Sequence, residues 1–237
     1  MSPDRHKIVG ILGGMGPEAT IDLFTKIVRS TPASKDQDHL RIIIDNNPLI
    51  PDRQEAILEG GPSPARLLIE TARNLEAAGA DFIVVPCNTA HYWIEQIRSA
   101  VRIPVVDMIK ETVEHVARSY PSLRTVGLLA ATGTVRSGLY QQRFLEIGIR
   151  AISPSDSDQD GLMQAIYAVK AGDLSKSSTV AIRIGQRLVA AGAEAAIAGC
   201  TEIPLVMRAG DISVPIVDAT EVLARRTVEI ARRSLVL

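Results

Sequence analysis

Along this chain, short apolar runs rich in β-branched residues alternate with longer stretches whose apolar positions recur at helical spacing. Ile8 to Leu12 is the first such run, and it opens into Gly13-Gly14-Met15-Gly16-Pro17-Glu18-Ala19-Thr20. Proline lacks only an orphan N–H at a helix start and glutamate meets the positive helix end, so Pro17 and Glu18 predict a helix through about Arg29. Leu40 to Ile44 predicts a second buried strand, ending in Asp45-Asn46-Asn47-Pro48. Leu49 to Pro64 carries Pro51-Asp52-Arg53, two adjacent glycines and two further prolines, and is expected to be a long loop, a common seat of function. Leu67, Leu68, Thr71, Leu75 and Ala78 place a helix over Ala65 to Ala78. The next strand lies within Gly79 to Val85 and runs into Pro86-Cys87-Asn88-Thr89-Ala90-His91. A helix over Tyr92 to Val101, a short strand over Ile103 to Asp107 and a helix from Met108 to about Arg118 follow, and a linker near Ser119-Tyr120-Pro121-Ser122 closes the first half.

The second half repeats the first. Thr125 to Thr134 again is an apolar run ending in small residues before a helix. Pro154 to Gly161 is expected to be a polar loop, with helices over Leu162 to Ala171 and Ser175 to Ala191. Gly192-Ala193-Glu194 then leads through an apolar run to Gly199-Cys200-Thr201-Glu202, as Gly79-Ala80-Asp81 leads to Cys87. Val214 to Asp218 echoes Ile103 to Asp107, and a helix is expected from Ala219 to about Arg233. Gly127 lies 117 positions after Gly10, Cys200 lies 113 after Cys87, and Asp218 lies 111 after Asp107. Offsets this constant indicate an internal duplication. Alternating strands and helices call for parallel sheets, with ligands outside the carboxyl ends of the strands. The expected fold is therefore α/β, in two pseudosymmetric lobes facing each other across a cleft. The lobes are residues 1–119 and 120–237, with the C-terminal helix 219–237 packing back on the first.

The 237 residues suffice for one large domain or two smaller ones. A formal net charge of -1, without basic or acidic blocks, leaves no electrostatic footprint for nucleic acid or a membrane surface. No apolar run reaches the roughly 20 residues of a membrane span. Met1 to Lys7 is polar and the apolar run after it is broken at once by glycines, unlike a signal peptide. Two cysteines without a C-x-x-C pair suggest a cytoplasmic protein with free thiols.

Those cysteines hold equivalent places in two similar strand-to-loop units. Either one alone reads most simply as a buried, inert thiol filling the end of a strand. Their symmetric placement favours a shared task instead. Two thiols approaching one bound carbon from opposite sides are what a 1,1-proton transfer needs: a thiolate removes the proton from one face and a thiol returns one to the other. The ordinary thiol pKa of about 8.5 is lowered by helix N-termini and nearby donors, and each cysteine is expected to precede a helix start. Arg53 is a candidate carboxylate clamp, with a solvent-exposed loop arginine as the plain alternative. Glu202 is suited to a substrate ammonium or to tuning Cys200, or is merely a first-turn helix acid. His91, four residues after Cys87, is a candidate supporting residue that more often just caps or packs. His6, His39 and His115 are scattered and form no metal-ligand spacing, so no metal is expected.

Gly13-Gly14-Met15-Gly16-Pro17-Glu18, Cys87-Asn88-Thr89-Ala90-His91 and Gly199-Cys200-Thr201-Glu202 resemble the motifs of the aspartate/glutamate racemase superfamily, over nearly the whole chain. The glycine loop with Pro51-Asp52-Arg53 resembles its aspartate racemase and broad-specificity amino-acid racemase branch. The resemblance implies racemisation of a small amino acid without a cofactor, two Rossmann-like lobes, and usually a homodimer. It implies Cys87 and Cys200 as the acid/base pair, and Lys170 as a contact to a distal carboxylate; read alone, Lys170 is a cation near a helix C-terminus. An α-carboxylate and developing carbanion charge need donors. The candidates are the backbone of Met15 and Gly16, the turn Asn88, Thr89 and Ala90, and Thr132, Gly133 and Thr134, with Thr201 standing beside Cys200 as Asn88 stands beside Cys87.

Two other classes compete. Gly14-Met15-Gly16-Pro17-Glu18-Ala19 fits the dinucleotide pattern G-x-G-x-x-A, with Asp45 as the ribose acid, but Asp45 lies 29 residues after Gly16, against a usual spacing of about 20, and neither cysteine is explained. An amino-acid-binding module without catalysis would use the same anion cradle and leave the thiols idle. Within the superfamily, hydantoin racemase, maleate isomerase and decarboxylase activities are further alternatives.

Overall fold

The structure is a computed structural model and describes residues 6–173 and 175–232. Most of the polar stretch at the N-terminus, and the position about Arg233 to which the last helix was expected to run, lie outside the described residues. The strands are β1 (Val9–Gly13), β2 (Ile42–Asn46), β3 (Phe82–Val84), β4 (Thr125–Ala130), β5 (Arg150–Ile152), β6 (Ala195–Gly199) and β7 (Ile216–Asp218). The helices are α1 (Pro17–Ser30), α2 (Arg53–Leu58), α3 (Ala65–Ala77), α4 (Ile94–Ala100), α5 (Met108–Ser119), α6 (Thr132–Arg136), α7 (Leu139–Glu146), α8 (Asp156–Lys170), α9 (Ser175–Ala190), α10 (Ile203–Val206) and α11 (Ala219–Arg232). Two sheets form, ordered β2-β1-β3 and β5-β4-β6-β7, and every pairing is parallel. The expected α/β class with parallel sheets is therefore the observed one. Contacts divide the chain into two compact units. The first takes the chain up to Asp52, Pro62–Glu111 and the stretch from Thr220; the second takes Arg53–Gly61 and Thr112–Ala219.

The duplication extends to single hydrogen bonds. Gly10 of β1 pairs with Ile83 and Gly127 of β4 pairs with Ala196, each partner standing four residues before a cysteine. A side chain at Gly10 would put its Cβ 2.9 Å from that of Ala80, and one at Gly127 would put it 3.0 Å from that of Leu188 and 3.1 Å from that of Ala193. Asp81 N–H donates to Ile8 O and Glu194 N–H to Thr125 O, both at the matching step of the register. The side chains return the bond: Ile8 N–H donates to Asp81 Oδ2 at 2.6 Å and Thr125 N–H to Glu194 Oε2 at 2.8 Å. Ile83 N–H bonds Pro104 O as Ala196 N–H bonds Pro215 O. The central strands, buried on both faces, need the near-continuous apolar sequence that made them readable.

The structure departs from the expected elements in four places. The expected loop Leu49 to Pro64 contains α2, because Arg-Gln-Glu-Ala-Ile-Leu is a run of helix-compatible residues and the prolines only bracket it. The expected loop Pro154 to Gly161 is mostly the first turns of α8: Ser155 caps the helix by accepting from Asp158 N–H, and Asp156 and Asp158 face its positive end. The expected strand Ile103 to Asp107 reduces to a single bridge between Ile83 and Val105. The segment after Cys87 is a tight 3-10 turn over Thr89–Trp93 before α4 begins.

Candidate active site

The glycine-rich loop after β1 is organised from within. Thr20 of α1 accepts a hydrogen bond from Gly14 N–H at 3.0 Å and donates to Gly16 O at 3.2 Å. Gly14 has a φ of 97°, and a Cβ there would lie 2.4 Å from the Asn47 carbonyl, so only glycine fits beside the β2 exit. Asn47 thus crowds the first glycine of the dinucleotide pattern, and Thr20 crowds Gly13 before it. Asp45, the candidate ribose acid, accepts from Asn74 of α3 at 3.2 Å. Met15 is buried, whereas a Cβ on Gly16, the residue capping α1, would meet nothing within 4 Å.

Cys87 is a free thiol, 6 % exposed, just beyond β3. Asn88, Thr89 and Ala90 after it are buried as well. Its carbonyl oxygen lies 2.8 Å from His91 Nδ1, and Met108 N–H donates to His91 Nε2 at 2.9 Å. A backbone N–H can only donate, so Nε2 accepts and the imidazole proton sits on Nδ1, bonded to the Cys87 carbonyl. His91 thereby ties the end of β3 to the start of α5 and supports the first thiol from behind.

Cys200, also free and 8 % exposed, follows β6. Its Sγ–H donates to Glu202 Oε2 at 2.9 Å, and Thr201 Oγ1 donates to the same oxygen at 3.2 Å. Glu202 Oε1 lies 3.7 Å from Lys170 Nζ, at the last residue of α8. Burial first, then the Glu202 carboxylate, push the Cys200 thiol well above the usual range, against an opposing pull from Lys170. This reverses the expected lowering at a helix start, because α10 is a four-residue turn and the nearest charge is negative. Cys200 rests as a thiol.

Arg53 is only 8 % exposed and begins α2, so the solvent-exposed loop arginine is excluded. Its neighbour Gln54 accepts from Gly133 N–H at 2.5 Å. Thr132 N–H is directed at Met163 Sδ at 3.2 Å, and Gln159 Nε2 donates to Thr132 Oγ1 at 3.1 Å and Ala130 O at 3.0 Å. Thr134 is fully buried. The loop after β4 is thus held by Gln54, Gln159 and Met163, none of which stood out in the sequence; Gln54, adjacent to Arg53, was the one with a positional signal. Among the described residues no group of three or more His, Cys, Asp or Glu is placed to hold a metal ion, and no helix is long and apolar enough to cross a membrane.

A duplicated parallel α/β architecture with a free thiol past the same strand of each copy defines the class: an α/β enzyme with a thiol at the carboxyl end of a strand in each sheet. The chain belongs to the Asp/Glu/hydantoin racemase family, whose model matches residues 12–227, and is an isomerase of the racemase type. It is 29 % identical over 227 residues to the broad specificity amino-acid racemase RacX of Bacillus subtilis, covering 93 % of this chain and 96 % of that protein. The structure of Picrophilus torridus aspartate racemase superposes with a TM-score of 0.86 at 33 % identity, covering 95 % of this chain and 94 % of that one. An aspartate racemase homologue from Pyrococcus horikoshii OT3 superposes with a TM-score of 0.76 at 28 % identity, covering 95 % and 99 %.

Proposed function

We propose that the protein is a cofactor-independent amino-acid racemase in which Cys87 and Cys200 perform a two-base 1,1-proton transfer at the α-carbon. Aspartate is the first substrate to test, then glutamate and a wider range. The observation that carries this reading is the equivalence of the two thiols, each four residues beyond the strand residue that pairs with the glycine of its central strand. Inversion requires one group to accept the α-proton while another, on the opposite face of the same carbon, supplies a new one. For one enantiomer Cys87 is the base and Cys200, resting as a thiol, is the acid; for the other the roles exchange.

The α-carboxylate and the developing carbanion are assigned to donors around Met15 and Gly16, in the Asn88, Thr89 and Ala90 turn, and at Thr132, Thr134 and Thr201. Gly133, between the two threonines in α6, has its own N–H engaged by Gln54. Arg53 and Lys170 are assigned to a side-chain carboxylate, Arg53 as a bidentate fork. The names of the relatives, one for broad specificity and others for aspartate, support this order of substrates. A cytoplasmic homodimer belongs to the same reading.

Cys87→Ser and Cys200→Ser test it directly. General acid–base groups contribute about 10²- to 10⁴-fold, so each variant, folded by circular dichroism, is expected to lose racemisation by that order. Near-wild-type turnover in both would overturn the two-thiol mechanism.

A further inference from the structure

The duplication is chemically asymmetric beside the cysteines. The step of 113 positions that carries Cys87 onto Cys200 also carries Asn88 onto Thr201 and Thr89 onto Glu202. The first thiol therefore has a hydroxyl where the second has a carboxylate. That carboxylate is 4 % exposed, and one of its oxygens accepts from both Cys200 Sγ–H and Thr201 Oγ1–H while the other faces Lys170. The charged groups acting on the thiol are Glu202 from its own segment and Lys170 from α8; Arg187 of α9 is engaged by Asp158 of α8.

Resting on the two-thiol reading above, we propose that Glu202 is the proton partner of Cys200 and not an anchor for the substrate ammonium, so that the two thiols are chemically unequal. For Cys200 to act as base, the cycle starts with a proton on each sulfur and the negative charge of the trio on Glu202. When Cys200 acts as base, its S–H bond breaks toward Glu202 Oε2, an O–H bond forms there, and the freed sulfur pair takes the α-proton. The carbanion pair left on carbon takes the proton of Cys87, whose sulfur keeps the electrons. One negative charge has moved from Glu202 to Cys87, and no proton has been gained or lost. In the opposite direction Cys87 thiolate takes the α-proton, Cys200 protonates the carbon, and Glu202 returns its proton to sulfur. Glu202 acts through Cys200 and is a positioning residue. The two enantiomers have equal free energy, so kcat/KM must be equal in both directions at every pH. The inequality of the thiols therefore shows in kcat and KM taken separately.

The first test requires no activity. In Cys87→Ser protein the remaining thiol is Cys200, and its thiolate absorbance is followed across the alkaline range, alone and combined with Glu202→Gln or Glu202→Asp. Removing the carboxylate charge takes away the raising influence of Glu202 while Lys170 still lowers the thiol, so Glu202→Gln is expected to shift the thiolate onset at least one pH unit lower, about tenfold more thiolate at a given pH. Glu202→Asp keeps the charge and is expected to stay near the parent. An unchanged onset in Glu202→Gln overturns the proposal whether or not the protein racemises. In protein retaining Cys87, Glu202→Gln is expected to change the kcat–pH profile of one direction more than the other; equal changes in both overturn the relay. A shifted onset in a protein that racemises nothing would uphold the Cys200–Glu202 pairing and refute the activity on which the cycle rests.

Discussion

His91→Leu removes both ring nitrogens from a side chain that holds the Cys87 carbonyl at 2.8 Å and the Met108 amide at 2.9 Å. All three residues are buried, so water does not readily replace either bond. A buried N–H left without its partner costs about 1–3 kcal/mol, and a carbonyl toward the lower end of that range. The sum is about 2–5 kcal/mol, a large share of the roughly 5–15 kcal/mol that holds a domain folded. At roughly 2–4 °C per kcal/mol for a chain of this size, the expected fall in Tm is about 4–20 °C. His91→Gln, which offers one donor or acceptor to the same gap, should recover part of it. Thermal unfolding by circular dichroism reads the stability. Racemisation of the folded variant at low temperature reads the consequence for Cys87, where a shift of about 1 Å would cost on the order of 10²-fold. A Tm within about 1 °C of wild type for His91→Leu would refute the claim that this imidazole pins the first thiol to the fold.

Burial and Glu202 raise the Cys200 pKa, so below the unfolded thiol value both states keep the proton and nothing is contributed. Above about pH 8.5 the unfolded chain loses the proton that the native state keeps, and stability should fall by up to about 1.4 kcal/mol per pH unit relative to Cys200→Ser. Urea midpoints of the two proteins on either side of that pH check this; parallel curves would contradict it. Gly10→Ala and Gly127→Ala each force a Cβ to about 3 Å from a neighbouring Cβ, and by the cost of overpacking should each destabilise by about 1–3 kcal/mol in denaturant titrations. Arg53→Lys keeps the charge but loses the fork, and should raise KM for dicarboxylic substrates more than for neutral ones; equal losses across side chains would reject its assignment.

The buried strands and their duplication were legible because a parallel sheet covered on both faces demands apolar runs. The glycines at 10 and 127 and the paired cysteines mark the same register in both copies. What escaped notice was local chemistry that looks alike in loops and in helix starts. Ser155, Asp156 and Asp158 read as a polar loop until their hydrogen bonds show them to be a cap and first turn. Likewise α7 and β5 are too weakly apolar to stand out, and Pro51 and Pro62 hid α2 by flanking it. At the site, residue types pointed to both cysteines, to Arg53 and to Glu202. They did not show that Glu202 takes the Cys200 proton in a hydrogen bond and raises the thiol. Spacing four residues apart did not reveal that His91 bonds the Cys87 backbone, or that Gln54 reaches Gly133 across 79 positions.

The central claim is tested most directly by incubating the reduced protein with L-aspartate in D₂O, without added cofactor, following the α-proton by NMR and the optical rotation together. The account predicts deuterium at the α-carbon and loss of rotation, both abolished by Cys87→Ser and by Cys200→Ser. Neither exchange nor loss of rotation with aspartate, glutamate or a panel of other amino acids would contradict it, and a protein that binds the amino acid yet leaves its α-proton untouched would be a binding module.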